Sequence, residues 1–371
     1  METPTRILIL AEEARSLVRT RKELIQELLL RGATCDVSVP VDKHCDTLRE
    51  LGCTILPCVF DRRSTNPIND IRLLRYYIKL LDKGEYDVVL SYSIKPNIYG
   101  GFASRLKKVP FCINITGMGS ALNNAGLVRI IVLFMYRRVG PYAKAVFFEN
   151  RSNQSTFFKW KICTANNSCV LPGAGVNLCD YEYKKRNTER NGTVFLFIGR
   201  IMPEKGMNEL CEAARRLYKE KYEAVVKIAG DFDDSFQGTF EQNYSSIPNL
   251  QLLGYCENIK DQIEQADCIV LPSYHEGMAN VLLEGGAVGR PLLASDIPGC
   301  REAIVDGQTG FLFRPKDVDS LYSAMLQFIQ LNEEERDTFG YQSRKHIEST
   351  FDRTKVVHEV ADILFSKACR N

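Results

Sequence analysis

The sequence predicts the α/β class, with two parallel-sheet units in tandem, and three observations predict it. Short β-branched or apolar runs alternate with longer helical patterns along the chain. The rhythm is interrupted near Leu171–Asn177 (LPGAGVN), where a proline and two glycines fall together. At 371 residues, 45% apolar and 25% charged, the chain has enough material for about two ordinary domains, each with its own core.

In the first half, Ile7–Ala11 reads as a strand and Arg21–Arg31 as the helix after it. Cys35–Val39, Thr54–Val59 and Val88–Tyr92 read as strands, with a helix over Ile71–Leu81. Phe111–Ile115 and Ala145–Glu149 complete the series. A βαβ rhythm of this kind gives a mostly parallel sheet with helices on both faces. Leu127–Arg138 is the most apolar helix candidate. The plainer reading makes it a core helix with a cationic end. The sharper one sets it against a membrane, with Arg137, Arg138, Lys107 and Lys108 on anionic headgroups.

The second series begins with strand Val194–Ile198 and continues with helix Met207–Tyr218 and strands Ala224–Ala229 and Leu250–Leu253. It runs on through Ile259–Gln265 (helix), Cys268–Leu271 (strand), Ala279–Val288 (helix), Pro291–Ser295 and Gly310–Phe313 (strands). Each half is therefore expected to be Rossmann-like, with ligand at the carboxyl ends of its strands. Tyr341–Asn371 is helical in pattern with a break near Ser349–Asp352, and periodicity does not place it.

Net charge is only +2, but residues 1–170 hold 25 Lys and Arg against 15 Asp and Glu (+10), and the remainder 23 against 31 (−8). A basic half points to something anionic: nucleic acid, a phosphate-bearing ligand or a bilayer. Thirteen cysteines with no CxxC pair and no Cys/His cluster argue against a disulfide scaffold and structural zinc; buried thiols in a reducing cytosol fit better. METPTRILIL lacks a secretory pattern and no run of about 20 apolar residues occurs, so the expectation is a cytoplasmic protein.

Two strand–loop–helix turns carry the candidate chemistry. After Val194–Ile198 come Gly199-Arg200-Ile201-Met202-Pro203-Glu204-Lys205-Gly206, a turn with glycines at both ends and two cations, suited to an anion. It has neither Walker nor GxGxxG order. After Cys268–Leu271 come Pro272–Gly277 and then a helix. Glu276 lies just ahead of that helix, where its dipole favours negative charge. Glu284 lies two turns in, among Val281, Leu282, Leu283, Gly285 and Gly286, where an acid needs hydroxyl or N–H donors. The N–H groups of Gly277–Asn280 would face a phosphate. Asp231-Phe232-Asp233 reads as a solvated turn rather than a metal motif.

The run from Glu276 to Glu284 (E-G-x5-L-E), preceded by VLPS and followed by GRPLLASDIPGCREAIVDGQTGFL, resembles the donor half of glycosyltransferase family 4, retaining enzymes of the GT-B fold. Gly199–Gly206 resembles the family's second signature. The resemblance implies two Rossmann-like domains facing an interdomain cleft: residues 1–170 bind the acceptor, and residues 171–351 bind the nucleotide-sugar donor. A C-terminal helix, 352–371, is expected to pack back on the first domain.

It further implies that Arg200 and Lys205 neutralise the donor diphosphate, that Glu276 contacts the transferred sugar, and that Glu284 binds the ribose. Gly277, Met278, Ala279, Asn280 and Val281 would line sugar and phosphate; Gly199, Gly254 and Tyr255 would line the nucleotide. Gly285-Gly286 stands where the family commonly has Ala. On the acceptor side the candidates are Ser93, Lys95 and Asn97 in the run Ser91–Gly100, Thr116, Gly117, Met118 and Gly119 after Phe111–Ile115, and Arg19. Ala11–Ser16 lacks the glycines often seen there, and Arg19 and Arg21 could take up an anion in their place.

The expected activity is retaining, metal-independent transfer of a hexose or N-acetylhexosamine from a nucleotide-sugar, a UDP-sugar above all. The acceptor would be a polyprenyl-diphosphate-linked saccharide. The first domain resembles the subgroup that extends lipid-linked sugars in capsule and other polysaccharide assembly, such as the N-acetylgalactosaminyltransferases acting on undecaprenyl-diphosphate-linked sugars. The resemblance implies no cofactor, with the nucleotide-sugar a substrate, no nucleic-acid partner, and a peripheral place on the inner membrane face. The alternatives are transfer to a soluble acceptor, a nucleotide-sugar 2-epimerase of the same fold, and a non-catalytic binding subunit, against which the full set Arg200, Lys205, Glu276 and Glu284 weighs. The sequence assigns His275 no role.

Overall fold

The first unit begins with β1 (Arg6–Leu10), α1 (Ala14–Thr20), α2 (Lys22–Leu30), β2 (Thr34–Val39), α3 (Cys45–Glu50) and β3 (Thr54–Pro57). It continues through α4 (Pro67–Gly84), β4 (Val88–Tyr92), α5 (Gly101–Lys107), β5 (Phe111–Ile115), α6 (Leu127–Val139), β6 (Ala145–Phe148), α7 (Arg151–Lys159) and β7 (Ser168–Val170). The computed structural model describes residues 4–366 apart from 59–65, 120–121, 123–125, 187–191 and 234. The strands lie in the order β3-β2-β1-β4-β5-β6-β7, all parallel. Every residue of β4 and β5 is buried, as central strands covered on both faces require. Asn66 caps α4 by accepting from the N–H of Ile68 at 3.0 Å, with Pro67 at the first helical position, where its missing N–H costs nothing.

Val59 of the expected third strand lies outside the described residues. The expected loop Ala11–Ser16 is shorter than its sequence suggests, because α1 begins at Ala14 and buries Ala14 and Leu17. The run Ser91–Gly100 is likewise not a loop throughout. Beyond Ser93 the backbone turns helical, winds wide over Pro96–Gly100 and continues as α5. Short helices with one or two buried positions leave little periodicity to read, which is why α1, α3 and α7 were not anticipated.

α6 departs most from expectation. Only Val132, Tyr136 and Val139 are buried, while Leu127, Val128, Ile130, Ile131 and Phe134 are exposed. The core-helix reading therefore holds for one face only: Val132, Tyr136 and Val139, with Leu133 and Met135 partly buried beside them, pack on the core, and the other face is exposed.

The second unit, Gly175–Arg353, holds β8 (Thr193–Ile198), α8 (Met207–Lys219), β9 (Ala224–Ala229), α9 (Gln237–Tyr244), β10 (Leu250–Gly254), α10 (Ile259–Gln265) and β11 (Cys268–Leu271). α11 (Asn280–Val288), β12 (Leu292–Ser295), β13 (Gly310–Phe313), α12 (Val318–Gln330) and α13 (Glu333–Thr350) follow. Its parallel sheet has the order β10-β9-β8-β11-β12-β13. α8 shows why such helices form: Met207, Leu210, Cys211, Ala214 and Leu217 fall on one face and all are buried. α13 starts at a reciprocal cap, Asn332 accepting from the N–H of Glu335 and Glu335 from that of Asn332.

The last helix, α14 (Arg353–Phe365), starts the segment assigned with the first unit, residues 1–174 and 354–371. Val356, Val360, Ala361 and Leu364 join the core formed with β1 and β2. Arg31 pairs with Asp362 at 2.5 Å, and the Lys144 ammonium donates to the Leu364 carbonyl at 3.1 Å. Residues 367–371 of the expected helix lie outside the described ones.

Candidate functional site

Strand order in the second unit reverses between β8 and β11, which pair directly through Phe195 with Cys268 and Leu196 with Ile269. The loops after these two strands thus leave the sheet side by side at its carboxyl edge, where open α/β sheets take their ligands. The first is Gly199–Gly206 and the second Pro272–Ala279. Gly206 has φ +70°, and a Cβ there would meet the Pro272 carbonyl oxygen at 2.0 Å. The Tyr274 N–H donates to the Glu204 carbonyl at 2.9 Å, joining the loops through backbone. The Tyr274 hydroxyl donates to the carboxylate of Glu209 in α8, 2.8 and 3.0 Å from its two oxygens. Burial first, then that carboxylate, raise the tyrosine's pKa and keep it a donor.

The two motifs meet at Lys205 and Glu276, whose Nζ and Oε1 are 2.5 Å apart, both groups partly exposed. Arg200, the other cation of the first loop, is exposed and has no ion-pair partner among the described residues. The Cys300 thiol lies buried near Glu276; burial, then that negative charge, push its pKa well up.

α11 starts without a side-chain cap. Of the four N–H groups expected to face a ligand, two are already spent: Ala279 donates to the Gly299 carbonyl at 2.8 Å and Asn280 to the Met278 carbonyl at 3.0 Å. That corrects the expected role of their backbones. The N–H groups of Met278 and Val281 have no acceptor among the described residues and stand at the positive end of the helix. Gly299, at φ +88°, lets the chain pass within reach of the Gly277 and Glu276 carbonyls, and its N–H is held by Glu302 at 2.7 Å. Glu284 is 4% exposed, and Asn280, one turn earlier on the same face, has a buried side-chain oxygen with no donor.

The start of the loop after β8 is shaped by Gly199 and Gly230, whose backbones touch: a Cβ at Gly230 would lie 1.9 Å from the Gly199 oxygen. Gly254 (φ +66°) ends β10 with open space beside it, and Tyr255 is exposed. In Asp231–Asp233, the Asp231 carbonyl accepts from Ile201 at 2.9 Å and the Asp233 carboxylate from the Ser235 hydroxyl at 2.7 Å. Among the described residues no three His, Cys, Asp or Glu side chains gather as metal ligands. His275 is exposed. Sequence reasoning missed Tyr274, Glu209, Gly299 and Glu302, which act on loop geometry and carry no local signature.

In the first unit the acceptor-side candidates divide. Asn97 is 1% exposed; its side chain bonds Ser91 at 2.8 Å and the Asn114 carbonyl at 2.9 Å, tying β4 to β5. It is a structural cross-link, not a surface contact. Lys95 is paired with Asp70 at 3.1 Å. Arg21 is buried against Glu149 at 3.0 Å with its guanidinium over the Tyr92 ring, so it does not take the anion role offered for it. Ser93 keeps φ +76°, a strained setting for a side-chain-bearing residue. Thr116, Gly119 and Arg19 are exposed, and Gly117 and Met118 partly so.

Two parallel-sheet units, with a cationic loop and an uncapped helix start at one switch point, define an enzyme of the glycosyltransferase GT-B fold. Residues 181–346 match the model of Glycosyl transferases group 1, and residues 6–148 that of Glycosyl transferase 4-like proteins. The chain is 28% identical over 333 residues to the N,N'-diacetylbacillosaminyl-diphospho-undecaprenol alpha-1,3-N-acetylgalactosaminyltransferase of Campylobacter jejuni, covering 85% of this chain and 87% of that one. It is 27% identical to the UDP-Gal:alpha-D-GlcNAc-diphosphoundecaprenol alpha-1,3-galactosyltransferase of Escherichia coli, covering 81% of each. The crystal structure of Anabaena HepE in complex with UDP and glucose superposes with a TM-score of 0.80 at 17% identity, covering 97% of this chain and 99% of that one. Both models describe glycosyltransferases, so the chain carries the two glycosyltransferase domains that the sequence motifs implied.

Proposed function

We propose that the protein transfers a sugar from a UDP-sugar to a polyprenyl-diphosphate-linked saccharide, with retention at the anomeric carbon, at the inner face of a membrane. The observation that carries the reading is the meeting of Lys205 with Glu276 beside the uncapped start of α11. The acceptor class follows the names of the Campylobacter and Escherichia relatives, and UDP follows the UDP-Gal named for the latter.

In this reading Arg200, Lys205 and the Met278 and Val281 N–H groups take the diphosphate. Glu284, with Asn280 on its face, takes the ribose hydroxyls. Glu276 holds the sugar, and Gly199, Gly254 and Tyr255 border the nucleotide. The bond from the anomeric carbon to the diphosphate breaks as the bond to the acceptor oxygen forms on the same face. The acceptor's proton passes to the departing diphosphate. Negative charge grows on that group, and the two cations stabilise it without a resident metal. On the first unit, Ser93, Thr116, Gly117, Met118, Gly119 and Arg19 remain the acceptor contacts.

The test is UDP release from a panel of UDP-sugars, with and without an undecaprenyl-diphosphate-linked saccharide, in the presence of EDTA. Release that needs the lipid-linked acceptor and ignores EDTA supports the reading. Equal turnover on the lipid-free saccharide would move the acceptor to a soluble one. Conversion of the donor with no acceptor present would make the protein a 2-epimerase.

A further inference from the structure

The outward face of α6 has no use in the transfer site, yet it is the most apolar exposed surface of any helix in the first unit. Leu127 is 72%, Ile130 65%, Ile131 48% and Phe134 55% exposed, and their spacing of three and four residues puts them in one stripe. Val128, 45% exposed, widens it. Five large apolar side chains in water cost free energy unless something covers them.

Charge identifies the cover. Between Asp87 and Glu149 the sequence has eight Lys and Arg and no acid. Arginines stand at the end of the stripe and along one flank. Arg138 lies over the Phe134 ring at 4.9 Å, and Arg105 over Tyr142 at 3.5 Å while bonding the Arg138 carbonyl. Along one flank Arg137 donates to the Trp160 carbonyl at 2.8 Å. Arg129, over the Trp160 ring at 5.4 Å, shares the helix face of buried Tyr136 and takes no part. None of Arg105, Arg137 and Arg138 has a carboxylate partner among the described residues. Lys107, by contrast, is paired with Asp82 and takes no part. A second copy of this chain docking by the same face would set cations against cations, so a two-fold pairing is disfavoured.

We infer that α6 is a bilayer-docking helix: it lies in the plane of an anionic leaflet, with Leu127, Ile130, Ile131 and Phe134 among the acyl chains and Arg105, Arg137 and Arg138 on headgroup phosphates. Thirteen residues make about 20 Å of helix, short of the roughly 30 Å hydrocarbon core, so it rests on the membrane and does not cross it. Among the described residues no helix is long and apolar enough to span. This deepens, and rests on, the reading of a lipid-linked acceptor: an enzyme held at the leaflet meets its acceptor in two dimensions.

The test is flotation of the full chain with phosphatidylcholine vesicles and with phosphatidylglycerol-containing ones, without donor or acceptor. The protein floats with the anionic vesicles and is released by salt. Ile130→Ser/Phe134→Ser abolishes flotation, and each of Arg137→Ala and Arg138→Ala weakens it about fivefold. UDP affinity and melting temperature stay at wild-type values in all of them. Absence of flotation by the wild type, or variants that float equally well, would overturn the inference. So would a wild-type dimer that Ile130→Ser/Phe134→Ser dissociates, which would make a second copy the occupant. Transfer to the lipid-linked saccharide in detergent is measured separately. Its survival without flotation condemns only the docking face, and its absence despite flotation condemns only the acceptor reading.

Discussion

Lys205 and Glu276 are 71 residues apart in the chain and 2.5 Å apart in space. Adjacent strands β8 and β11 bring their loops together, and the Tyr274–Glu204 backbone bond locks the approach. On the proposed function, Glu276 holds the ammonium where the diphosphate binds. Lys205→Ala removes that cation and leaves the Glu276 carboxylate facing the phosphates alone. Transfer is expected to fall about a hundred- to a thousandfold in Lys205→Ala and in Arg200→Ala, with the melting temperature of the exposed Arg200 variant unchanged. The two should differ in binding: UDP affinity, measured by calorimetry, drops further in Lys205→Ala and recovers in part in Lys205→Ala/Glu276→Gln. Equal affinities for those last two variants would show that the carboxylate does not face the nucleotide.

Glu284 is buried one turn into α11, 4% exposed. With ribose hydroxyls as its donors, Glu284→Gln should weaken UDP about tenfold or more, the worth of hydrogen bonds to a charged group. A UDP analogue lacking both ribose hydroxyls should bind wild type and variant alike. If the variant loses affinity for that analogue as well, the carboxylate serves the fold rather than the ribose.

Both glutamates were legible in the sequence because the motif E-G-x5-L-E is local, as were the strands Val88–Tyr92, Ala224–Ala229 and Cys268–Leu271, whose runs are short, apolar and bounded. What escaped is set by contacts remote in the chain. Asn97 looked like a loop ligand until β4 and β5 drew it inward to Ser91 and Asn114. Arg21 looked free until Glu149, 128 residues on, claimed it. Ala279 and Asn280 lost their N–H groups to Gly299 and Met278, a turn geometry no composition reveals. α6 was apolar enough for a core, and only the fold shows which face the core takes.

Buried thiols set a pH response. Burial pushes Cys35 and Cys112 up to about 12 and Cys53 up to about 11, from 9.0. Below pH 9 these thiols are neutral in both folded and unfolded chains and stability does not depend on them. Above it the unfolded chain releases protons that the folded one keeps, so the unfolded state gains and stability falls with rising pH until the folded thiols ionise near 11 to 12. Urea midpoints should therefore decline from pH 9 to 10.5, and Cys112→Ala should flatten that decline. In native protein at pH 8 a maleimide should label exposed Cys179 and leave Cys35 and Cys112 untouched. A midpoint independent of pH across this range would contradict the burial.

Gly285 and Gly286 lie side by side in α11, and their neighbours explain them. A Cβ at Gly285 would lie 2.4 Å from Cγ1 of Ile269 in β11, and one at Gly286 2.7 Å from Ile347 Cγ1 and 2.9 Å from Ser343 Oγ in α13. α11 is pressed onto the sheet on one side and onto α13 on the other. In an open helix Gly→Ala would stabilise by about 1 kcal/mol. Here overpacking, worth about 1–3 kcal/mol, should win and make Gly285→Ala a net loss in urea melts. Ile269→Ala is destabilising alone because it opens a cavity, but it vacates the space the new methyl needs. The double variant should therefore be more stable than the sum of the two single losses predicts, by about 1 kcal/mol or more. Because Glu284 is the adjacent residue and the Val281 N–H group rides on the same helix, Gly285→Ala should also weaken UDP binding, and Ile269→Ala should restore part of it. Strictly additive losses, or a Gly285→Ala protein more stable than wild type, would mean that α11 has room to move away from β11 and that its glycines are not what seats the donor end.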